Sequence, residues 1–286
     1  MSKRLLLLGV GNAALAINDC ESGFYDAKYG TTRQREKLEH LANIGLKPIW
    51  CQKSASEGQS SETFTAETLA AIREAAADAH VVVSFPPNRT DDEALSEVVA
   101  DASKIVYISS TGVYGGASGI IDEETVVDSD SAATAPRLFA ENVWRDRGAV
   151  ILRAPALYGP NYGMHISLRS GKFKLPGDGK RYSSRIHLSD LATIVLKALR
   201  HARRSSIYVV GDKNPAPQIE VVSWLCERLG IDMPPSIPLE EAHITQQGNR
   251  QIRADRVLAD LKIDLQYPTY KEGFESCIRE HEASSC

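Results

Sequence analysis

Cysteine is scarce in this chain and unpatterned. The five in 286 residues, Cys20, Cys51, Cys226, Cys277 and Cys286, are odd in number and share no close spacing. That excludes a disulfide framework and a thiolate zinc site, and it points to a reducing, cytoplasmic setting. None of the seven histidines stands at metal-ligand spacing, so no metal is expected. No apolar run is long enough to span a bilayer, which argues against a membrane protein. The formal net charge of −4 gives no general pull toward nucleic acid or acidic membranes, so any preference for anions must be local. A Gly-x-Ser-x-Gly elbow is missing, which removes the simplest hydrolase reading. No internal repeat is present, and the one low-complexity stretch, the Ser/Glu/Thr patch 54–65, reads as a surface loop.

What the chain does have is a strand that runs into a glycine turn: Leu5-Leu6-Leu7-Leu8-Gly9-Val10-Gly11-Asn12-Ala13-Ala14. Gly9 allows a tight turn, Gly11 removes a side chain that would block a pyrophosphate, and Ala14 lets the helix lie close to the strand. The N–H groups of the helix's first turn, at Asn12 and Ala13, then face the phosphates. About 20 residues further on, where a ribose partner belongs, a second strand ends in Gly30-Thr31-Thr32-Arg33. A guanidinium with hydroxyl neighbours Thr31 and Thr32 suits the 2′-phosphate of NADP, whereas an acid would suit the 2′-OH of NAD. The competing reading has Arg33 starting the next helix on a solvated face with Arg35 and Lys37. Met1-Ser2-Lys3-Arg4 before an apolar run also has the look of a secretory signal. Cleavage there would delete the glycine turn and leave the second strand without its partner, so the first strand is taken as retained.

At 43% hydrophobic the chain can bury a sizeable core. Short β-rich runs at 26–32, 48–51, 80–85, 104–109, 149–154 and 206–210 follow the first strand. They alternate with helical periods at 34–44, 65–78, 91–100 and 188–201. The expected fold class is α/β, a doubly wound parallel sheet of the Rossmann type with a smaller C-terminal substrate lobe. Residues 1–159 and 186–212 are assigned to the dinucleotide-binding domain. Residues 160–185 and 213–286, richer in Pro, Gly and charge, are assigned to the lobe, and the cleft at the strand ends is the expected site.

The fifth strand ends in Tyr107-Ile108-Ser109-Ser110-Thr111-Gly112-Val113-Tyr114-Gly115. Leu152-Arg153-Ala154-Pro155-Ala156-Leu157-Tyr158-Gly159-Pro160 follows the sixth, and Ser184-Arg185-Ile186-His187-Leu188-Ser189-Asp190-Leu191 opens the next helix. With Gly248 to Arg250 and Tyr267-Pro268-Thr269-Tyr270, these runs resemble the extended short-chain dehydrogenases/reductases, the NAD(P)-dependent epimerase/dehydratase family. The resemblance implies that Ser110 hydrogen-bonds the substrate's reacting oxygen. It also implies cofactor contacts from Ser84, Phe85, Pro86, Ser109, Arg137, Pro155, Ala156 and Leu157, and substrate contacts from Thr111, Tyr158 and Tyr162. The family's Tyr-x-x-x-Lys pair is absent. Counted back from Ala140-Glu141, the Lys position holds Arg137 and the Tyr position holds Ala133, which cannot transfer a proton.

Three readings of that loss stand open. Another phenol supplies the proton, Tyr114 first and Tyr158 or Tyr162 next; or substrate or water does so while Arg137 holds the ribose; or the protein binds NADP as a sensor without turnover. Against the first, Tyr114 can instead bond within its own turn, and Ser110 can satisfy a strand-end group. His187 is read as bracing its loop rather than as an acid or base. The segment from Arg169 to Arg181 carries five basic residues and one acid. Lys174 and Arg181, with Arg185 just beyond, are therefore candidates for gripping an anionic, nucleotide-sugar-like substrate. A solvated basic loop is the plainer alternative. The partners expected are a small molecule, no nucleic acid and no membrane, with a homodimer left open.

Overall fold

β1 (Arg4–Leu8) shows why the sheet forms where it does: Leu5 to Leu8 are all fully buried, as a strand covered on both faces requires. In a computed structural model of the chain, which describes residues 3–55, 62–242 and 246–284, six further strands join it. They are β2 (Ala27–Thr32), β3 (Lys47–Trp50), β4 (His80–Val83), β5 (Lys104–Ser110), β6 (Val150–Ala154) and β7 (Ile207–Val209). Together they form one parallel sheet in the order β7-β6-β5-β4-β1-β2-β3. β1 pairs with β2 on one side, Leu6 opposite Tyr29, and with β4 on the other, Leu6 opposite Val81. The strand order therefore reverses at β1, the switch point at which doubly wound sheets hold nucleotides.

The helices are α1 (Asn12–Cys20), α2 (Leu38–Asn43), α3 (Ala66–Ala76), α4 (Arg89–Val98), α5 (Ala135–Asp146), α6 (Met164–Arg169), α7 (Leu188–His201), α8 (Gln218–Leu229), α9 (Asp255–Asp260) and α10 (Tyr270–Ser284). The helical period expected over 34–44 is broken into a 3-10 turn, Arg35–Lys37, and α2. Only Leu41 is buried there, and so short a segment holds no long helix on propensity alone. The patch read as a surface loop over 54–65 instead carries an antiparallel pair at its two ends, Lys53–Ala55 with Glu62–Phe64; its residues 56–61 lie outside the described residues. No helix among the described residues is long and apolar enough to cross a membrane.

The chain divides into two compact units. The first comprises Met1–Ser109, Ala135–Leu152 and Ala192–Ile207. Its core sets Leu6, Leu8, Val81, Val83, Ile105 and Ile151 against Ile72 and Trp144. The second comprises Ser110–Thr134, Arg153–Leu191 and Tyr208–Cys286, so residues 110–134, drawn with the nucleotide domain in the sequence, fold within it. There Val221, Val222 and Leu225 of α8 pack with Phe274, Cys277 and Ile278 of α10, around Tyr158 and Phe173. Four short pairings among the described residues shape this unit, one of them Leu175–Pro176 parallel to Ser236–Ile237. Arg185–His187 runs parallel to Ala156–Tyr158, Asn249–Ile252 runs parallel to Ser118–Ile121, and Tyr182–Ser183 runs antiparallel to Ala216–Pro217.

Candidate functional site

In the first unit the turn after β1 is held by its neighbours on both sides. Gly9 has φ +84°, and a Cβ there would stand 2.8 Å from that of Phe85, so only glycine fits. Its N–H donates to Thr31 Oγ1 (2.7 Å), and its carbonyl oxygen accepts from the Ser84 hydroxyl (2.8 Å). Gly11 is different: a Cβ there would meet nothing within 4 Å, so it borders open space. α1 starts directly after it with no side-chain cap and no acid in its first turn, and Ala14 is buried against the sheet. These residues fit a dinucleotide's pyrophosphate, which would lie over the uncapped N–H groups of Asn12 and Ala13.

A cleft of about 360 Å³ extends from this turn past Thr31 to Gln34, Lys37, Cys51, Phe64 and the run from Ser84 to Asn88. Ser84, Phe85 and Pro86, from which the resemblance implied cofactor contacts, are among the residues lining it. The two threonines are turned to the backbone, because a buried hydroxyl must find a partner: Thr31 holds Gly9, and Thr32 Oγ1 accepts the Gln34 N–H (3.1 Å). Arg33 remains exposed at the rim with Lys37, a residue placed from sequence only on the alternative solvated face. Asp91 also lines the cleft, but Lys53 meets its carboxylate at 2.6 Å. The rim therefore offers two cations and no free acid among the described residues.

The remaining first-unit candidates are engaged inside the fold. Ser109 is buried and donates to Glu141 Oε1 (2.6 Å). Arg137 donates to the Tyr107 hydroxyl (2.8 Å), and burial pushes that phenol up to about 12 against the pull of the guanidinium. Tyr107 in turn stacks on Trp144, whose Nε1 donates to Asp92.

The second unit holds a larger cavity, about 570 Å³, lined by Ser110, Thr111, Pro155 to Tyr158, Tyr162, Phe173, Arg181 to Arg185, Gln218, Arg250 and Phe274, among others. Ser110 Oγ accepts the Gly112 N–H (3.0 Å), capping the turn Thr111–Tyr114, which leaves its own proton free to donate. Tyr114 does not line the cavity. It is buried, donates to the Asp122 carbonyl oxygen (3.1 Å) and accepts from Arg153 Nη1 (3.1 Å), so its hydroxyl braces the turn. Ala133, at the vacant Tyr position, is exposed. Tyr158 faces Phe274 with ring centroids 4.2 Å apart, and its hydroxyl is buried without a partner, which pushes the phenol well above its ordinary range. Tyr162, 46% exposed, presents its ring at the cavity edge.

A methyl at Gly273 of α10 would overlap the Tyr158 hydroxyl. Gly273→Ala should therefore destabilise the fold by about 1–3 kcal/mol through overpacking. Tyr158→Phe alone should be neutral or stabilising, since it removes an unpaired buried hydroxyl, and the double variant should regain most of the loss in chemical denaturation. Equal stability of Gly273→Ala and the parent would show that the overlap is relieved elsewhere.

His187 is likewise structural. Its Nδ1 accepts the Ser189 N–H (3.2 Å), which puts the ring proton on Nε2, where it meets Cys277 Sγ (3.4 Å); burial lowers the imidazole to about 4. The Asp190 carboxylate accepts the N–H groups of Gln266 and Tyr267.

Charge is what distinguishes the cavity: among the described residues, three arginines and no Asp or Glu line it. Arg181 donates to the Gln247 carbonyl oxygen (3.3 Å), Arg185 to Ser183 Oγ (2.6 Å) and Arg250 to the Gly115 carbonyl oxygen (2.9 Å). Of the segment's basic residues only Arg181 lines the cavity, and it is exposed there. Lys174 is exposed and outside the lining, and Lys180 is paired with Asp178 (3.2 Å). Arg250 was read from sequence only as the end of the Gly248–Arg250 run, with no role, and Gln218 was not singled out. Arg250 lies 135 residues from the Gly115 carbonyl it binds, and only the pairing of Asn249–Ile252 with Ser118–Ile121 brings the two together.

Part of the chain is similar in sequence to the NAD dependent epimerase/dehydratase family. That family's sequence model matches residues 88–211, and the fold carries the likeness through the rest of the chain. A functionally unknown conserved protein from Silicibacter pomeroyi DSS is 24% identical, with a TM-score of 0.78 over 99% of this chain and 100% of its own. A dTDP-glucose 4,6-dehydratase from Bacillus anthracis str. Ames, in complex with NAD, is 18% identical, with a TM-score of 0.76 over 99% of this chain and 97% of its own. A UDP-glucuronic acid 4-epimerase from Bacillus cereus, also in complex with NAD, is 15% identical, with a TM-score of 0.71 over 97% and 99%. A search of curated proteins found no match to the sequence.

Proposed function

We propose that the protein is an NADP-dependent enzyme of the oxidoreductase, epimerase or dehydratase type, acting on a small anionic substrate held in the arginine cavity. The carrying observation is the lining itself: three guanidinium groups, two of them buried, with no acidic side chain among them. Burying such charge with no acid in the lining is costly, and an anionic ligand offsets the cost. Arg33 and Lys37 at the end of β2 support NADP rather than the NAD bound by the structural neighbours. The nucleotide-sugar substrates in those neighbours' names support a phosphorylated, sugar-like acceptor.

When bound, the nicotinamide supplies or removes hydride. The chain's own residues orient the acceptor: Ser110 donates to the reacting oxygen beside Thr111, and Arg181, Arg185 and Arg250 fix the anionic end. With Ala133 at the Tyr position and Tyr114 engaged, the proton comes from water or from Tyr162, the most exposed phenol in the lining.

Carbonyl compounds with and without a phosphate or carboxylate group, tested for NADPH oxidation, check this reading. Turnover is expected only with the anionic ones. Arg250→Gln should raise KM about fivefold to tenfold, more at low salt, with NADP affinity unchanged; the effect is moderate because one amine of Arg250 is already spent on Gly115. Equal turnover of a neutral carbonyl would overturn the anionic substrate. The commitment of Tyr114 favours a second reading, NADP binding with little turnover, and failure of every carbonyl to oxidise bound NADPH would select it.

A further inference from the structure

A buried acid outside the cavity lining, Asp212, acts on the lining residue Arg185, and the proposed reaction does not use it. Asp212 is 2% exposed, as is Arg185, and its backbone N–H donates to the Arg185 carbonyl oxygen (2.8 Å). One carboxylate oxygen accepts the Asn214 N–H (3.1 Å), and the other has no hydrogen-bond partner. Arg185 shows the complementary pattern: Nη2 donates to Ser183, while Nη1, buried, has no partner. Arg185 lines the cavity and Asp212 does not.

We propose that Asp212 is a positioning residue for Arg185, and that an anion entering the cavity binds together with one proton taken from solvent onto the Asp212 carboxylate. The proposal rests on the anionic-substrate reading of this cavity. A guanidinium cannot shed its proton, so the charge of the pair is set by the acid alone. Asp212 is the strongest negative charge acting on Arg185, with Glu220 of α8 weaker. The other groups acting on Asp212 are Asp190 of α7, and the phenols of Tyr158 and of Tyr270 of α10, the latter bonded to Glu220 (2.8 Å). Burial pushes the Asp212 carboxyl up to about 7 although Arg185 pulls it down. An anion on Nη1 replaces Asp212 as counter-ion, weakens that pull and repels the ionised carboxylate, so the bound state holds the proton more tightly than the free state. Affinity is therefore greatest where Asp212 is already protonated and is lost as pH rises through the free protein's value.

Sulfate is the probe, since its charge does not change across this range. Calorimetric titration of the full-length protein in buffers of different ionisation enthalpy should show proton uptake on binding above about pH 7, and affinity should fall roughly tenfold between about pH 6 and pH 8.5. Asp212→Asn should bind sulfate at the higher pH as tightly as the parent does at the lower, with no proton uptake. Sulfate binding without proton uptake by the parent protein overturns the role of Asp212 and leaves the anionic cavity standing, and this needs no variant. A pH dependence that persists in Asp212→Asn overturns that role equally. Sulfate binding that survives Arg185→Gln, or no binding at all, overturns both.

Discussion

Ser110→Ala is expected to lower turnover about 10²-fold while leaving NADP affinity within a factor of about two, the cost of removing one oriented donor to a developing oxyanion. The hydroxyl is suited to this because its acceptor side is already engaged. Gly112 donates to it, which orients the oxygen and leaves the proton for a ligand in the cavity. The same cap predicts a small structural loss, about 1 kcal/mol in denaturation. Kinetics and stability should therefore separate. Ser110→Thr, which keeps the hydroxyl, should retain more turnover than alanine. An alanine variant with unchanged turnover and lowered stability would reduce Ser110 to a cap for the turn Thr111–Tyr114.

Arg33→Ala should weaken NADP binding at least tenfold and leave NAD binding nearly unchanged, since a charge-assisted contact to phosphate is worth about 1.5–3 kcal/mol. The cleft supports the selectivity. Thr31 and Thr32 are occupied by backbone N–H groups, and Asp91 is held by Lys53, so discrimination falls to Arg33 and Lys37. Lys37→Ala should weaken NADP less than Arg33→Ala does, because a lysine binds phosphate as a point charge rather than through a planar fork. Equal losses for both cofactors in calorimetry would mean that Arg33 supports the turn rather than reading the ribose.

The parts of this architecture governed by short-range rules could be read from sequence. Each of the seven strands lies within two residues of its expected position, since continuous apolar runs bounded by turns leave little freedom. The tight turn at Gly9 and the uncapped start of α1 followed from glycine spacing alone. Side-chain direction in the second unit was not legible. Arg181 and Lys174 sit in the same basic run, yet Arg181, next to the pairing of Tyr182–Ser183 with Ala216–Pro217, lines the cavity and Lys174 does not. Arg250 depends on a pairing far more distant in sequence, Asn249–Ile252 with Ser118–Ile121. Tyr114 looked available because its partner Arg153 comes from β6, 39 residues away.

The acid-free lining of the second unit's cavity also makes thermal stability a ligand detector. No acid among the described residues lines the cavity beside its three guanidinium groups, and an anion that fits offsets their charge only in the folded state, so it raises the melting temperature with its affinity and concentration. Polyvalent anions should stabilise the protein more than chloride does at equal ionic strength, and Arg250→Gln should shrink that difference. A panel of phosphorylated and carboxylated metabolites ranked by the upward shift in melting temperature would then order acceptor candidates before any turnover has been measured.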